Sequence, residues 1–245
     1  MTSRKINYKD HVIEFHNLLT KGHNIDKFIL NNTLFQRPDH NFNSLVKLLK
    51  KDSIVYDIGS YIGSFAIPMA IEGLNIYTFE GFPDNFERCK KNCKPYKNIK
   101  NYLCALSDKT YSVKSGFNSC MDGDYSEQRD IKYFRFDDFV KINSLPDPDL
   151  VKMDIEGMET IALLGMDNIL ENVRPIWSLG YHYKFYSTVD GYPGWLDVKD
   201  GGFDFYKFDQ LGYRLYDERG KRVPYSTLDN RGGEFVLIPE EKIKK

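Results

Sequence analysis

The run Val55-Tyr56-Asp57-Ile58-Gly59-Ser60-Tyr61-Ile62-Gly63-Ser64 carries a β-branched stretch into a glycine turn and then into a helical stretch. Glycines at such a turn let the backbone approach a ligand and take dihedrals closed to other residues, while the N–H groups opening the next helix can face polar atoms. The spacing D-x-G-x-x-x-G differs from the G-x-G-x-x-G of a dinucleotide site, because Tyr61 and Ile62 leave no third glycine in register. Asp57 would repel a pyrophosphate but suits a ligand bearing an ammonium or sulfonium charge, so a cationic nucleoside is expected. An ordinary strand–turn–helix is the alternative. Further on, Ile76-Tyr77-Thr78-Phe79-Glu80 is an apolar strand ending in an acid. An acid about 20 residues beyond a glycine turn is placed to accept hydrogen bonds from both ribose hydroxyls. Glu80 is therefore the expected ribose clamp, against the alternative of a solvated carboxylate, and Phe82 packs on the adenine or in the core.

These residues need a frame, and the hydrophobic pattern supplies one. Val12, Phe15, His16 and Leu19 recur at helical spacing over His11–Leu19, and Phe42–Leu49 also reads as a helix. Strands are expected at Ile54–Ile58, Ile76–Phe79, Ile99–Leu103, Leu150–Met153 and Ile176–Leu179, with helices at Ser64–Glu72, Asp84–Cys93 and Gly157–Leu164. Strands separated by helices of this length imply βαβ units and a parallel sheet covered on both faces. Phe203–Leu211 reads as a helix, and Tyr213–Tyr216 and Glu234–Pro239 as strands that would finish the sheet antiparallel. The expected organisation is an N-terminal helical extension over 1–50 and one α/β domain over 51–245, with an aromatic-rich insertion at about 181–202.

Composition removes several function classes. The chain has 245 residues, with 34 Lys+Arg against 35 Asp+Glu, a net charge of −1. Nucleic acid or an anionic membrane as main partner would need a basic excess. With 28% charged and 41% hydrophobic residues the chain is neither a disordered polyelectrolyte nor a membrane protein. Cys89, Cys93, Cys104 and Cys120 fall in one stretch, unlike a disulfide framework, and no CxxC or nearby histidine completes a tetrahedral metal set. No apolar run approaches the roughly 18 residues of a membrane span. A soluble, cytoplasmic protein with reduced thiols is expected. Its 17 Tyr, 17 Phe and 2 Trp, 15% of the chain, exceed what a core alone would be expected to use.

Asp57-Ile-Gly-x-x-x-Gly63, Phe79-Glu80, Cys104-Ala105-Leu106-Ser107-Asp108 and Val151-Lys152-Met153-Asp154-Ile155-Glu156-Gly157-Met158-Glu159, taken in order, resemble the FkbM-type S-adenosylmethionine-dependent methyltransferases. The resemblance covers about Ser53 to Leu179. It implies the Rossmann-like class I methyltransferase fold, a seven-stranded mostly parallel sheet with an antiparallel final strand and helices on both faces. It also implies S-adenosyl-L-methionine as cofactor and a hydroxyl of a sugar or other small molecule as acceptor. Carried over by residue, it puts Asp57, Gly59 and Gly63 at the methionine moiety, Glu80 at the ribose, and Ala105 and Leu106 beside the adenine, with Ser60, Tyr61, Gly81, Phe82 and Asp154 also expected to bind the cofactor. Three positions depart from the family's pattern. Tyr61 stands where Asn is frequent, Gly81 where Pro usually follows the acid, and Gly180 where an acid commonly precedes the histidine.

Asp154 and Glu156 end the fourth strand of this scheme. In a doubly wound sheet the carboxyl ends of strands one and four meet at the switch point, so Asp154 is expected near the cofactor's amino acid end or its methyl group. Extended backbone would turn Asp154 and Glu156 to one face, where they could share a proton relay or, ranked lower, a hard divalent cation. A Glu156 that only caps the following helix is the competing reading. Transfer of a methyl group to an alcohol needs a base, and His182 after the fifth strand is the candidate. Tyr181, Tyr183, Tyr186 and Trp195 around it are expected to form a substrate lid, with a secondary core or a homodimer contact as alternatives.

The reading is thus an S-adenosylmethionine-dependent O-methyltransferase acting on a glycan or other small molecule, with no metal, nucleic acid or membrane partner. Its alternatives are an NAD-dependent oxidoreductase, disfavoured by the missing third glycine, and a domain that binds the cofactor or a glycan without catalysis.

Overall fold

The computed structural model describes residues 2–19, 24–34, 42–115, 129–182 and 203–243. Tyr183, Tyr186, Trp195 and Cys120 lie outside the described residues, and with them most of the expected lid. The chain forms two compact units, Met1–Ala105 with Ser112–Lys132, and Leu106–Tyr111 with Tyr133–Lys245.

The first unit opens on a hairpin of β1 (Thr2–Tyr8) and β2 (His11–Leu18), paired antiparallel with Ile6 opposite Ile13. The helix expected over His11–Leu19 is therefore a strand. Ile13 and Phe15, two apart, are fully buried, whereas Val12 and Leu19, which completed the helical spacing, are 61% and 40% exposed. A period of two decides the element. Two short helices follow, α1 (Asn24–Leu30) and α2 (Phe42–Leu48), and then β3 (Ile54–Ile58), α3 (Ala66–Ile71), β4 (Asn75–Glu80), α4 (Pro83–Cys93) and β5 (Ile99–Leu103). Here the periodicity serves well, because each strand is an apolar run between helices. Pro83 at the start of α4 fixes the first helical φ at no hydrogen-bonding cost. Asn85, Arg88, Cys89, Asn92 and Cys93 then form one buried face. The free thiols expected from the sequence are found at Cys89, Cys93 and Cys104, all buried.

A three-stranded sheet of order β6-β8-β7 is formed by β6 (Ala105–Ser107), β7 (Tyr111–Ser115) and β8 (Arg129–Arg135). The second unit continues with α5 (Phe136–Ile142), β9 (Leu150–Met153), α6 (Glu159–Leu163), a π-helical turn at Ile169–Val173, β10 (Ile176–Tyr181), α7 (Tyr206–Gln210), β11 (Tyr213–Asp217) and β12 (Gly233–Pro239). The main sheet has seven strands in the order β11-β12-β10-β9-β3-β4-β5. β3, β4 and β5 run parallel, as do β9 and β10, while β12 is antiparallel to both β10 and β11. This is the mostly parallel sheet with a reversed final strand that the sequence implied. Among the described residues no helix is long and apolar enough to cross a membrane.

Much of the aromatic excess lies in the two cores. In the first unit Tyr56 and Phe79 are fully buried with ring centroids 5.1 Å apart, and Tyr102 stacks on Phe79 at 5.6 Å. In the second, Phe208 sits edge-on to Trp177 at 5.6 Å and to Tyr213 at 5.1 Å, with Phe203 and Phe205 beside it. Rings of this size fill cores that aliphatic side chains fill elsewhere, at about 1.5–3 kcal/mol each.

Gly165, after α6, is tightly enclosed. A Cβ there would lie 2.3 Å from the Ser107 carbonyl oxygen and 3.3 Å from the Phe136 amide nitrogen, both backbone atoms that cannot swing away. Gly165→Ala should therefore cost about 3 kcal/mol and lower Tm by about 5–10 °C, read by thermal unfolding.

Candidate functional site

In the first unit, the turn after β3 is bolted to the end of β4. Gly59 and Ser60 donate their N–H groups to the Phe79 carbonyl at 2.8 and 3.3 Å, and Gly63 closes back on Ser60 O at 2.8 Å. Gly59 and Gly63 have φ of +78° and +83°, and Tyr61 between them has +50°. At Gly63 a side chain meets a second obstacle, since a Cβ would stand 2.8 Å from the Cys93 sulfur. Asp57, fully buried, ends the strand just ahead of the turn.

Glu80 is 5% exposed and already oriented. One carboxylate oxygen accepts the Tyr61 N–H at 2.9 Å and the other accepts the Phe82 N–H at 2.9 Å. The side chain thus bridges the β3 turn and the start of α4. Gly81 follows it because the chain passes close by there. A Cβ at Gly81 would come within 2.8 Å of the Ala105 Cβ. The Tyr61 side chain points away into the protein, to Asp26 and Arg88. It is the Tyr61 backbone that touches Glu80.

In the second unit, β9 delivers Asp154 and a turn holds Glu156 at φ +55° and Gly157 at φ +100°. His182, at the end of β10, faces three carboxylates. Nδ1 lies 3.0 Å from Glu159 Oε1, and Nε2 lies 3.4 Å from Glu156 Oε2 and 3.7 Å from Asp154 Oδ1. Burial disfavours the charged ring. The hydrogen bond to Glu159 and the charges of Glu159, Asp154 and Glu156 outweigh it and raise the His182 pKa to about 9. Beside it, Glu234 on β12 is pushed up to about 7, first by burial and then by the Asp154 charge, against the opposing pull of Lys152 and His182.

Glu159 is the piece that sequence reasoning missed. It is 1% exposed and accepts N–H bonds at 3.1 Å from Ile155 and Gly157 as well as facing His182. The role of capping the turn, considered for Glu156, belongs to Glu159, and Glu156 faces the histidine instead. A signal was available: a turn of positive φ before a helix exposes several N–H groups, and the acid two residues past Gly157 is the one able to fold back on them.

Gly180 is explained by the same cluster. A Cβ there would come within 3.0 Å of the Asp154 carboxylate. A side chain at this position would crowd Asp154, and Glu234 is the cross-strand partner of Gly180.

A family profile of the methyltransferase FkbM domain matches residues 57–215. The chain belongs to the FkbM methyltransferase family. The match contains Asp57, Glu80, Asp154 and His182, and it leaves the β1–β2 hairpin, α1 and α2 outside. The hexuronic acid methyltransferase AglP of Haloferax volcanii is 27% identical over 136 residues, 53% of this chain and 56% of that protein, so the chain spans about half the length of that curated relative. A solved FkbM methyltransferase from Methylobacillus flagellatus KT superposes with a TM-score of 0.51 at 16% identity, over 87% of this chain and 52% of that one. At that identity the likeness speaks for the fold.

For this FkbM-family chain the expected site residues fall into two groups. Asp57, Gly59, Ser60, Tyr61, Gly63, Glu80, Gly81, Phe82 and Ala105 gather in the first unit around the strand ends. Asp154, Glu156 and His182 gather in the second, where each offers a ligand atom and these atoms lie within 4.8 Å of one another. Leu106 is buried in β6 at 4% exposure, and Tyr181 packs edge-on against Phe205 at 4.7 Å. A proton on His182 Nε2 and a divalent cation would compete for the space between these carboxylates.

Proposed function

We propose that the protein transfers a methyl group from S-adenosylmethionine to a hydroxyl of a sugar or related small molecule. The observation that carries the donor half of this reading is Glu80, a buried carboxylate locked between two backbone N–H groups at the end of β4. The residues there fit the donor by their chemistry. Asp57 and Glu80 are buried acids at the ends of adjacent strands, suited to an ammonium group and to paired hydroxyls, and the glycine turn brings backbone close without side-chain bulk. When bound, the donor supplies an electrophilic methyl on a sulfonium. The acceptor class draws support from the printed activity of the Haloferax volcanii relative.

The chain's own part in the chemistry is proton management and positioning. Glu159 accepts from Nδ1, so the neutral ring of His182 keeps its proton there and presents Nε2 as the base. With donor and acceptor bound, Nε2 would accept the proton of the acceptor hydroxyl. Asp154 and Glu156 stabilise the imidazolium that forms, and Glu159 acts as a positioning residue through the ring. Holding the hydroxyl in line with the methyl supplies the larger share of the rate.

The test is incubation of the full chain with isotopically labelled S-adenosylmethionine and a panel of hexuronic acids, neutral sugars and their glycosides, read by mass spectrometry. Labelled methyl on a sugar oxygen, together with S-adenosylhomocysteine, is the expected outcome. Binding of NAD without binding of the methyl donor would overturn the reading in favour of an oxidoreductase, and donor binding without turnover on any acceptor would leave a binding domain. The 4.8 Å spacing of Asp154, Glu156 and His182 favours one second reading, in which a divalent cation activates the hydroxyl. A chelator distinguishes them: activity persisting in EDTA supports His182 as base, and activity lost to EDTA and restored by Mg²⁺ or Mn²⁺ supports the cation.

A further inference from the structure

Asp26 lies on α1, well ahead of the family-matched segment, and is fully buried. Its carboxylate accepts hydrogen bonds from the Tyr61 hydroxyl and from the Arg88 guanidinium, and also from the Leu19 N–H at 3.0 Å. Arg88, on the buried face of α4, donates a second hydrogen bond to the Tyr61 hydroxyl at 3.1 Å, and its guanidinium lies 4.9 Å from the centre of the Tyr61 ring. Two helices distant in sequence, α1 and α4, thus converge on one tyrosine. That tyrosine is the non-glycine residue of the donor turn with left-handed backbone, at φ +50°. For a bulky side chain this conformation costs on the order of 1 kcal/mol or more, and it persists only where surroundings impose it. The conformation has a direct product, because it aims the Tyr61 N–H at Glu80 Oε2.

We propose that Asp26 and Arg88 are positioning residues for nucleoside binding: by gripping the Tyr61 side chain they fix its backbone N–H against Glu80 and so set the carboxylate that takes the ribose hydroxyls. This rests on the donor reading given above. It assigns a role in that site to the N-terminal segment, through an ion pair that grips the Tyr61 side chain. Buried ion pairs respond strongly to loss of one partner, since the remaining charge is left uncompensated. Asp26→Asn is therefore a sensitive probe, and Tyr61→Phe, which leaves the Asp26–Arg88 pair in place, is a milder one.

The experiment is calorimetric titration of the full chain with S-adenosylhomocysteine, adenosine and 2′,3′-dideoxyadenosine. Asp26→Asn should weaken the two ligands that carry ribose hydroxyls by about tenfold and leave the dideoxy ligand within about twofold of wild type. In a Glu80→Ala background the Asp26 substitution should have no further effect on adenosine, because the group it orients is gone. A merely structural role would weaken all three ligands alike and would persist without Glu80; either result overturns the inference. If Asp26→Asn does not fold, Tyr61→Phe gives the same comparison, with a loss of several-fold expected for adenosine alone and an equal loss for both nucleosides counting against it. A wild-type protein that binds dideoxyadenosine and adenosine equally would overturn the ribose-clamp reading itself, a failure visible before any variant is made.

Discussion

His182→Ala is expected to lower kcat by about 10²–10³-fold while leaving the Kd for S-adenosylhomocysteine within about twofold, as removal of a general base does. The split between turnover and donor affinity is the measurement that matters. If donor affinity fell equally, His182 would be acting on the donor rather than on the acceptor. A pH profile adds a second test. Since the surrounding carboxylates raise the His182 pKa to about 9, the ring is protonated at neutral pH and Nε2 gains its lone pair only as the pH rises. The kcat/KM of the wild type should climb from pH 7 to a plateau above about 9. The same interaction affects stability in the opposite sense. A histidine with a pKa above its ordinary 6.5 binds its proton more tightly when folded, so its contribution is fully present below pH 6.5 and is lost as the pH rises through 9. Over that window the wild type should lose on the order of 2 kcal/mol that His182→Ala never had. Glu234, also raised, gives an earlier loss, as the pH rises from 4.5 to about 7.

Glu80→Ala should weaken binding of S-adenosylhomocysteine by about 100-fold, the loss expected when hydrogen bonds to both ribose hydroxyls disappear, with titration calorimetry as the readout. Glu80→Gln should do little better. Its amide would turn an NH₂ group toward either the Tyr61 or the Phe82 N–H, placing donor against donor where the carboxylate accepts from both. A glutamine variant that bound the donor normally would show that the charge and the second acceptor are dispensable.

The sheet was legible because strands such as Ile54–Ile58 and Leu150–Met153 are short apolar runs bracketed by helices, and this pattern survives any detail of packing. The N-terminal hairpin was not. Val12, Phe15, His16 and Leu19 imitate a helical stripe, and only the burial of Ile13 and Phe15 shows which side of each residue faces the protein. The acids at the strand ends, Asp57, Glu80 and Asp154, could be read from position alone, since parallel sheets expose their carboxyl ends to ligands. Glu159 and Glu234 escaped because their importance comes from what faces them across a turn or a neighbouring strand. The aromatic residues that follow His182 in the sequence lie outside the described residues, and Tyr56, Phe79, Trp177 and Phe208 show that the cores themselves take many rings.

Asp26 bears on where the working unit begins. A chain trimmed to the segment that matches the family, residues 57–215, would keep each glycine of the donor turn and the acid beyond it, yet it would remove the carboxylate that grips Tyr61 and leave Arg88 as a buried cation without that countercharge. Such a fragment would retain the family signature and lose the anchoring of its turn. The family match begins at residue 57, whereas the hydrogen bonds that hold the Tyr61 side chain reach back to α1.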